Sequence, residues 1–154
     1  MSSLNALMVA IDAAMRKRDE ARRTLQARAQ ACQSAQAQMD QLQDYAAQMQ
    51  QRWGAHENQA VQPEVMYHQY QFMERLNHAM GLQTKVIQDH AIRLEAAQKA
   101  LMACELRVTS LQKVVAARQR DISLAQMRRE QKQTDERAAL QFIGRTFGLQ
   151  FQEA

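Results

Sequence analysis

Residues 4–53 carry a hydrophobic stripe that repeats every third and then every fourth residue. Thirteen of the fifteen positions on this repeat are apolar, and the residues between them are mostly Gln, Arg, Asp, Glu and Ala. A repeat of 3.5 residues is the seam of a coiled coil, and no glycine or proline interrupts it here. Because one helix cannot bury such a stripe alone, the stripe predicts a partner helix.

The same repeat returns between Met73 and Ala125, where thirteen of sixteen seam positions are apolar. Gly54 and Pro63 lie between the two stripes, and they favour a helix end and a helix start. A turn of roughly ten residues is too short to return the chain along a helix of about 75 Å for a parallel pairing. The pattern therefore predicts an all-α fold in which two long helices form an antiparallel coiled-coil hairpin.

The predicted organisation is a single coiled-coil domain over residues 1–154. Helix 1 is expected over about 3–54, the turn over about 55–63 and helix 2 over about 64–141. Beyond Ala125 the seam positions become charged, and Gly144 and Gly148 then disfavour a helix. Residues from about 142 to 154 are therefore predicted to form a flexible C-terminal tail.

Basic residues are concentrated in two segments, 16–28 and 107–137. These segments hold fourteen of the twenty Lys and Arg but only six of the sixteen Asp and Glu. In an antiparallel hairpin both lie at the end that bears the termini. This surplus suits an acidic protein surface, nucleic acid or an anionic membrane, but solvated coiled-coil flanks look the same. Interleaved aromatic residues are lacking there, which disfavours nucleic acid.

All eight aromatic residues fall in two places, beside the predicted turn and in the C-terminal tail. Aromatic side chains are enriched at protein interfaces, so the cluster beside the turn is a candidate docking site. A small satellite core that clamps the turn explains the cluster equally well. The residues of the two groups are Tyr45, Trp53, Tyr67, Tyr70 and Phe72, and Phe142, Phe147 and Phe151.

The sequence carries no pattern typical of catalysis. The glycines are isolated, so no phosphate-binding loop is predicted. The four histidines lie ten or twelve residues apart, and neither cysteine has a cysteine neighbour at zinc spacing. No apolar run is long enough to span a membrane, and the N-terminal charges are in the wrong order for a secretory signal. We therefore expect a cytoplasmic protein with no enzymatic activity, cofactor or metal.

Three segments resemble the flagellar export protein FliJ family. They are QLQDY at 41–45, YQFMERLNHAM at 70–80 and EQKQTDERAA at 130–139, and the likeness in length and layout extends over nearly the whole chain. The resemblance implies a non-enzymatic coiled coil, similar to the stalk of rotary ATPases, in the bacterial flagellar type III export apparatus. Its implied partners are the flagellar export ATPase, the cytoplasmic domain of the membrane export gate and export chaperones. It would lie at the inner face of the membrane near the flagellar base.

The resemblance also implies two binding sites. The end that bears the termini would enter the ATPase ring, and the arginines of the basic segments are the candidates for that contact: Arg16, Arg18, Arg22, Arg118, Arg128 and Arg129. A patch near the hairpin tip would bind the export gate, and we call it the gate patch: Gln38, Leu42, Tyr45, Met49, Phe72, Leu76, Ala79 and Gln83. Met49 stands where the family has an aromatic residue, and Gln83 stands where it has a histidine.

The heptad register supports the gate patch independently of the resemblance. Its residues occupy g and d positions on both helices, and antiparallel helices set g opposite g, so both halves are expected along one edge. Two other functions stay open from the sequence. One is a coiled-coil adaptor or chaperone that binds partners through its tip, and the other is a protein that binds nucleic acid or anionic lipid through its basic end.

Overall fold

The structure is a computed structural model that describes residues 2–54 and 62–152, with side chains described over 3–54 and 62–149. These ranges contain two helices, α1 (Ser2–Gly54) and α2 (Pro63–Gln152), and no strand. The predicted all-α fold, with two long antiparallel helices in contact, is confirmed. Most of the predicted turn, residues 55–61, lies outside the described residues, and Pro63 belongs to α2.

The first turn of α2 follows the sequence signals for a helix start. The backbone carbonyl of Gln62 accepts hydrogen bonds from the amides of Val65 and Met66, at 3.0 and 3.2 Å. Pro63 occupies the first helical position, where its missing N–H removes no helical hydrogen bond. Glu64 then places a negative charge at the positive end of the helix dipole. Local chemistry therefore sets where α2 begins.

The chain divides into two compact units, a larger one of Ala14–Leu106 and a smaller one of Met1–Ala13 with Arg107–Ala154. In the larger unit Gln83 contacts Ala35, and Phe72 contacts Tyr45. The step from Ala35 forward to Tyr45 on α1 therefore matches the step from Gln83 back to Phe72 on α2, so the helices of this unit are antiparallel. In the smaller unit the guanidinium of Arg118 lies 3.3 Å from the hydroxyl of Ser3. The single domain over 1–154 stays a prediction.

The buried residues fall on the predicted stripes and nowhere else in the described ranges. Each of the nine buried hydrophobic residues occupies a seam position, and four of them are alanines. Small seam residues let two helix backbones approach closely, although each buries little apolar area. The nine are Ile11, Ala14, Ala35, Met39, Ala46, Leu76, Ala97, Val108 and Val115.

Burial on α2 ends earlier than the stripe predicts. The stripe continues to Ala125, but Val115 is its last buried residue and every described side chain over 116–149 is exposed. At this level Arg118 contacts Ser3, in the first turn of α1. The apolar positions Ile122 and Ala125 lie further along α2 and are exposed.

The structure corrects the predicted end of helix 2 near residue 141, because α2 continues through both glycines to Gln152. Neither Gly144 nor Gly148 has a positive φ, so both keep helical geometry. A glycine inside a helix costs about 1 kcal/mol relative to alanine, which weakens a helix without ending it. The hydroxyl of Thr146 also donates to the carbonyl of Phe142 at 2.8 Å, inside this segment.

Replacing Gly144 and Gly148 with alanine is expected to strengthen the end of α2. A Cβ at either position meets no atom within 4 Å, so the change removes backbone entropy without a clash. We expect the double variant to gain up to about 2 kcal/mol of local helix stability, measured as slower amide exchange around residues 140–150. Ala139→Gly should change the exchange in the opposite direction. Unchanged exchange in the double variant would contradict the prediction.

Candidate functional site

All eight residues of the gate patch lie in the larger unit. Their exposure differs widely. Gln38, Tyr45 and Phe72 are exposed, whereas Leu76 is buried in the seam. The remaining four, Leu42, Met49, Ala79 and Gln83, are half-buried. The patch therefore combines side chains that hold the helices together with side chains that a partner could reach.

An aromatic pair joins the two helices within the gate patch. The rings of Tyr45 and Phe72 meet edge to face, with centroids 5.8 Å apart and an interplanar angle of 75°. Such a pair contributes about 0.5–1.5 kcal/mol beyond the area it buries. Tyr45 is nevertheless 44% exposed and Phe72 37% exposed, so a partner could still cover part of each ring.

Trp53 extends this contact toward the end of α1. Its ring also meets Phe72 edge to face, with centroids 6.3 Å apart. The contact fastens the last turn of α1 to α2, as expected for a satellite core that clamps the turn. Both sequence interpretations of the cluster thus have a structural basis, since Trp53 packs against Phe72 while the rings of Tyr45 and Phe72 stay partly exposed.

Gln83 is a polar residue on the stripe of α2, and it reaches across to α1. Its side-chain nitrogen donates to the backbone carbonyl of Ala35 at 2.8 Å and to the side-chain oxygen of Gln38 at 3.2 Å. Amides from both helices therefore meet beside Tyr45.

Next to these amides a shallow groove of about 480 Å³ runs along the helix pair. Four of the residues that line it belong to the predicted gate patch, and the fifth is Gln41. Sequence reasoning missed Gln41 because it lies beside the stripe and carries no periodic signal. The groove contains no charged side chain and no pair of groups arranged for proton transfer, so its chemistry suits binding through apolar contacts and amide hydrogen bonds. Its lining is Gln38, Gln41, Leu42, Tyr45 and Gln83.

The first turns of α2 expose a second apolar group: Val65, Met66, Tyr67 and Tyr70. The phenol oxygen of Tyr67 accepts a hydrogen bond from the side-chain nitrogen of Gln71 at 2.8 Å. Glu74 raises the pKa of Tyr70, chiefly because its carboxylate accepts a hydrogen bond from the phenol, and also because its charge opposes formation of tyrosinate. Tyr67 therefore has a polar contact with Gln71 and a ring contact with His68 on α2, where the ring centroids are 6.2 Å apart.

The six predicted arginines have different surroundings. Arg18 lies on the seam of the larger unit, where two of its nitrogens sit 3.2 Å from one oxygen of Asp19. Arg22 lies 3.9 Å from the same oxygen and 3.7 Å from Glu105 across the helix pair. Carboxylates near Arg18 and Arg22 therefore partly offset the positive charge of both arginines. Arg16 is exposed.

In the smaller unit Arg118 contacts Ser3, while Arg128 and Arg129 lie on the exposed part of α2. The guanidinium groups of Arg128 and Arg129 are accessible along a stretch that meets no second helix within the described residues. Among the six predicted arginines, these two are the best placed to meet a partner.

Over the ranges 2–54 and 62–152, no three His, Cys, Asp or Glu side chains come together in a way that could hold a metal ion. In the same part of the chain, neither helix has a stretch both long and apolar enough to cross a membrane.

Two long antiparallel helices that display an open, uncharged patch define a coiled-coil protein with a surface for binding. Comparison with protein families identifies the family of this coiled-coil protein. Residues 3–146 match the family described as Flagellar FliJ protein, and the chain belongs to this family. Comparison with curated proteins and with solved structures gives no match. Family membership makes the protein a component of the flagellar export apparatus, as the resemblance implied.

Proposed function

We propose that this protein couples the flagellar export ATPase to the cytoplasmic domain of the membrane export gate, without catalysing a reaction itself. It acts in the cytoplasm at the inner face of the membrane, and it meets the membrane only through the gate. Escort of export chaperones belongs to the same proposal. Family membership supports a place in the export machinery. The aromatic pair of the gate patch and the exposed basic part of α2 support the named partners.

The observation that carries the proposal is the half-exposed pair of Tyr45 and Phe72. Their rings are held in place by each other and, for Phe72, by Trp53, so little side-chain freedom is lost when a partner covers them. Held aromatic residues at the centre of a patch are the usual hot spots of protein interfaces. The groove beside Tyr45 adds amide groups that can fix the orientation of the bound segment.

The exposed part of α2 supports the ATPase contact. Over residues 116–149 every side chain is exposed, and basic residues outnumber acidic ones by seven to four. A surface of this kind is attracted to acidic surfaces, and the attraction speeds encounter more than it raises affinity. The basic residues are Arg118, Arg120, Arg128, Arg129, Lys132, Arg137 and Arg145, and the acidic ones are Asp121, Glu130, Asp135 and Glu136.

The proposal is tested by pull-down with the purified ATPase and the gate's cytoplasmic domain, at about 50 and 300 mM salt. We expect the Arg128→Glu/Arg129→Glu variant to bind the ATPase on the order of tenfold more weakly at low salt, because the reversed charges repel an acidic surface. Binding to the gate domain should be unchanged, because Arg128 and Arg129 lie outside the gate patch.

The matched control is Lys85→Glu/Arg93→Glu, which makes the same change in net charge at exposed positions of α2 in the larger unit. An equal loss of ATPase binding in this control would show that net charge, and not the position of the arginines, governs the contact. If the unaltered protein binds neither the ATPase nor the gate domain, the proposed function is wrong.

A further inference from the structure

The amide of Gln83 does more than line the groove, because its two hydrogen bonds connect the helices at a defined level. We propose that Gln83 is a positioning residue that selects the register in which Tyr45 faces Phe72. The proposal concerns the chain alone, so it does not depend on which protein binds the gate patch.

The hydrophobic stripes by themselves leave the register open. Both repeat every seven residues and are apolar at most positions, so a slip of one heptad still sets apolar residues against apolar residues. Such a slip moves one helix about 10.5 Å along the other. It would bring Tyr45 to the level of Val65 or Ala79 in place of Phe72, and the aromatic pair would be lost.

Gln83 distinguishes the observed register from these alternatives because of what it meets on α1. Its nitrogen reaches the carbonyl of Ala35, a residue only 4% exposed whose side chain ends at Cβ and so leaves the backbone open to a neighbour. A slip of one heptad puts Arg28 or Leu42 at that level, and their longer side chains cover the backbone.

The second acceptor is equally specific. Gln38 offers a side-chain oxygen one turn beyond Ala35, whereas the corresponding residues in the slipped pairings are Ala31, which has no side-chain acceptor, and Tyr45, whose hydroxyl lies at the far end of its ring. A slipped pairing therefore desolvates the amide of Gln83 without giving it either acceptor, which disfavours that pairing on the order of tenfold or more. The exposed ion pair between Arg22 and Glu105, at 3.7 Å, adds little selectivity.

The register can be measured with two spin labels in a chain whose native cysteines, both free, are replaced by alanine: Cys32→Ala and Cys104→Ala. Labels are attached at Asp44→Cys and Arg93→Cys, two exposed positions in the larger unit. Gln83 lies level with Ala35. Asp44 is nine residues from Ala35 toward one end of the pair and Arg93 is ten residues from Gln83 toward the other end, so the two labels lie about 28 Å apart along the helix axis. A one-heptad slip then lengthens or shortens the label separation by close to 10 Å.

With Gln83 present we expect a single distance in pulsed electron paramagnetic resonance. Gln83→Leu should produce a second distance shifted by close to 10 Å, while its thermal midpoint stays equal or rises because an apolar side chain now completes the stripe. A residue that only contributed to stability would lower the midpoint and leave one distance. Gln88→Leu, which changes an exposed glutamine of the same helix, should keep one distance.

Gln38→Leu gives an independent test, because it removes one acceptor and leaves the carbonyl of Ala35. It should produce a smaller second population than Gln83→Leu. A single unshifted distance in folded Gln83→Leu protein would overturn the proposal.

Discussion

Replacing Tyr45 or Phe72 with alanine is expected to lower the affinity for the gate's cytoplasmic domain by roughly thirtyfold or more, while the protein stays folded. Each ring is held by the other at 5.8 Å, yet 44% of Tyr45 and 37% of Phe72 is exposed in the unbound chain. A partner that covers both rings gains their remaining apolar area with little loss of side-chain entropy. Isothermal titration calorimetry with each variant measures the change.

Tyr70→Ala is the matched control, because Tyr70 is an exposed tyrosine on α2 that is not part of the gate patch. Its affinity should stay within about threefold of the unaltered protein. The double variant Tyr45→Ala/Phe72→Ala should lose less than the sum of the two single losses, since each ring positions the other. Full affinity in both single variants would rule out the aromatic pair as the binding centre.

Leu76→Ala is expected to lower the free energy of unfolding by about 2–5 kcal/mol, because this leucine is only 7% exposed and fills the seam between the helices. The family pattern groups Leu76 with the binding residues, but the structure shows that a partner can reach very little of it. We therefore expect any effect of Leu76→Ala on binding to act through folding. Urea unfolding followed by circular dichroism measures the loss.

Leu82→Ala makes the same substitution on the same helix at a residue that is 51% exposed. It should change the free energy of unfolding by no more than about 0.5 kcal/mol. If the two leucine variants are equally stable, Leu76 does not pack in the seam as described. At a temperature where Leu76→Ala is fully folded, its affinity for the gate domain should return close to that of the unaltered protein.

The fold could be predicted from the sequence because its main determinant is local. A heptad repeat fixes which side of each helix is apolar, and the glycine and proline between the two stripes mark the reversal of the chain. Val108 and Val115, deep in the second stripe, are buried as the repeat requires. The antiparallel direction followed from the length of the turn alone.

Features that depend on the partner helix could not be predicted in this way. The stripe gave no sign that burial ends at Val115, because a repeat marks which side of a helix is apolar and not what lies opposite it. The glycines of the tail suggested a helix end, but their cost of about 1 kcal/mol each is too small to impose one. Ala35 carries no sequence signal for its contact with Gln83, since the accepting atom belongs to the backbone.

The gate patch stays a prediction as a binding site. Four of its residues, three on α1 and one on α2, line one groove. Sequence alone did not separate the exposed residues from Leu76, because a repeat marks the side of a helix and not the depth to which each residue is covered. It also could not show that Phe72 packs against two rings, because a heptad position does not fix the direction in which a side chain points.

The helical structure of the exposed part of α2, residues 116–149, is expected to depend on whether a partner is bound. Every side chain over residues 116–149 is exposed, so apart from the contact of Arg118 with Ser3 this part of the helix is maintained by its own backbone and by neighbours one turn away. We therefore expect its helix content to fall gradually with rising temperature, in contrast to the cooperative melting of a packed pair. We expect a protein that encloses this segment as a helix to act as its packing partner, so that the segment melts only when that protein dissociates.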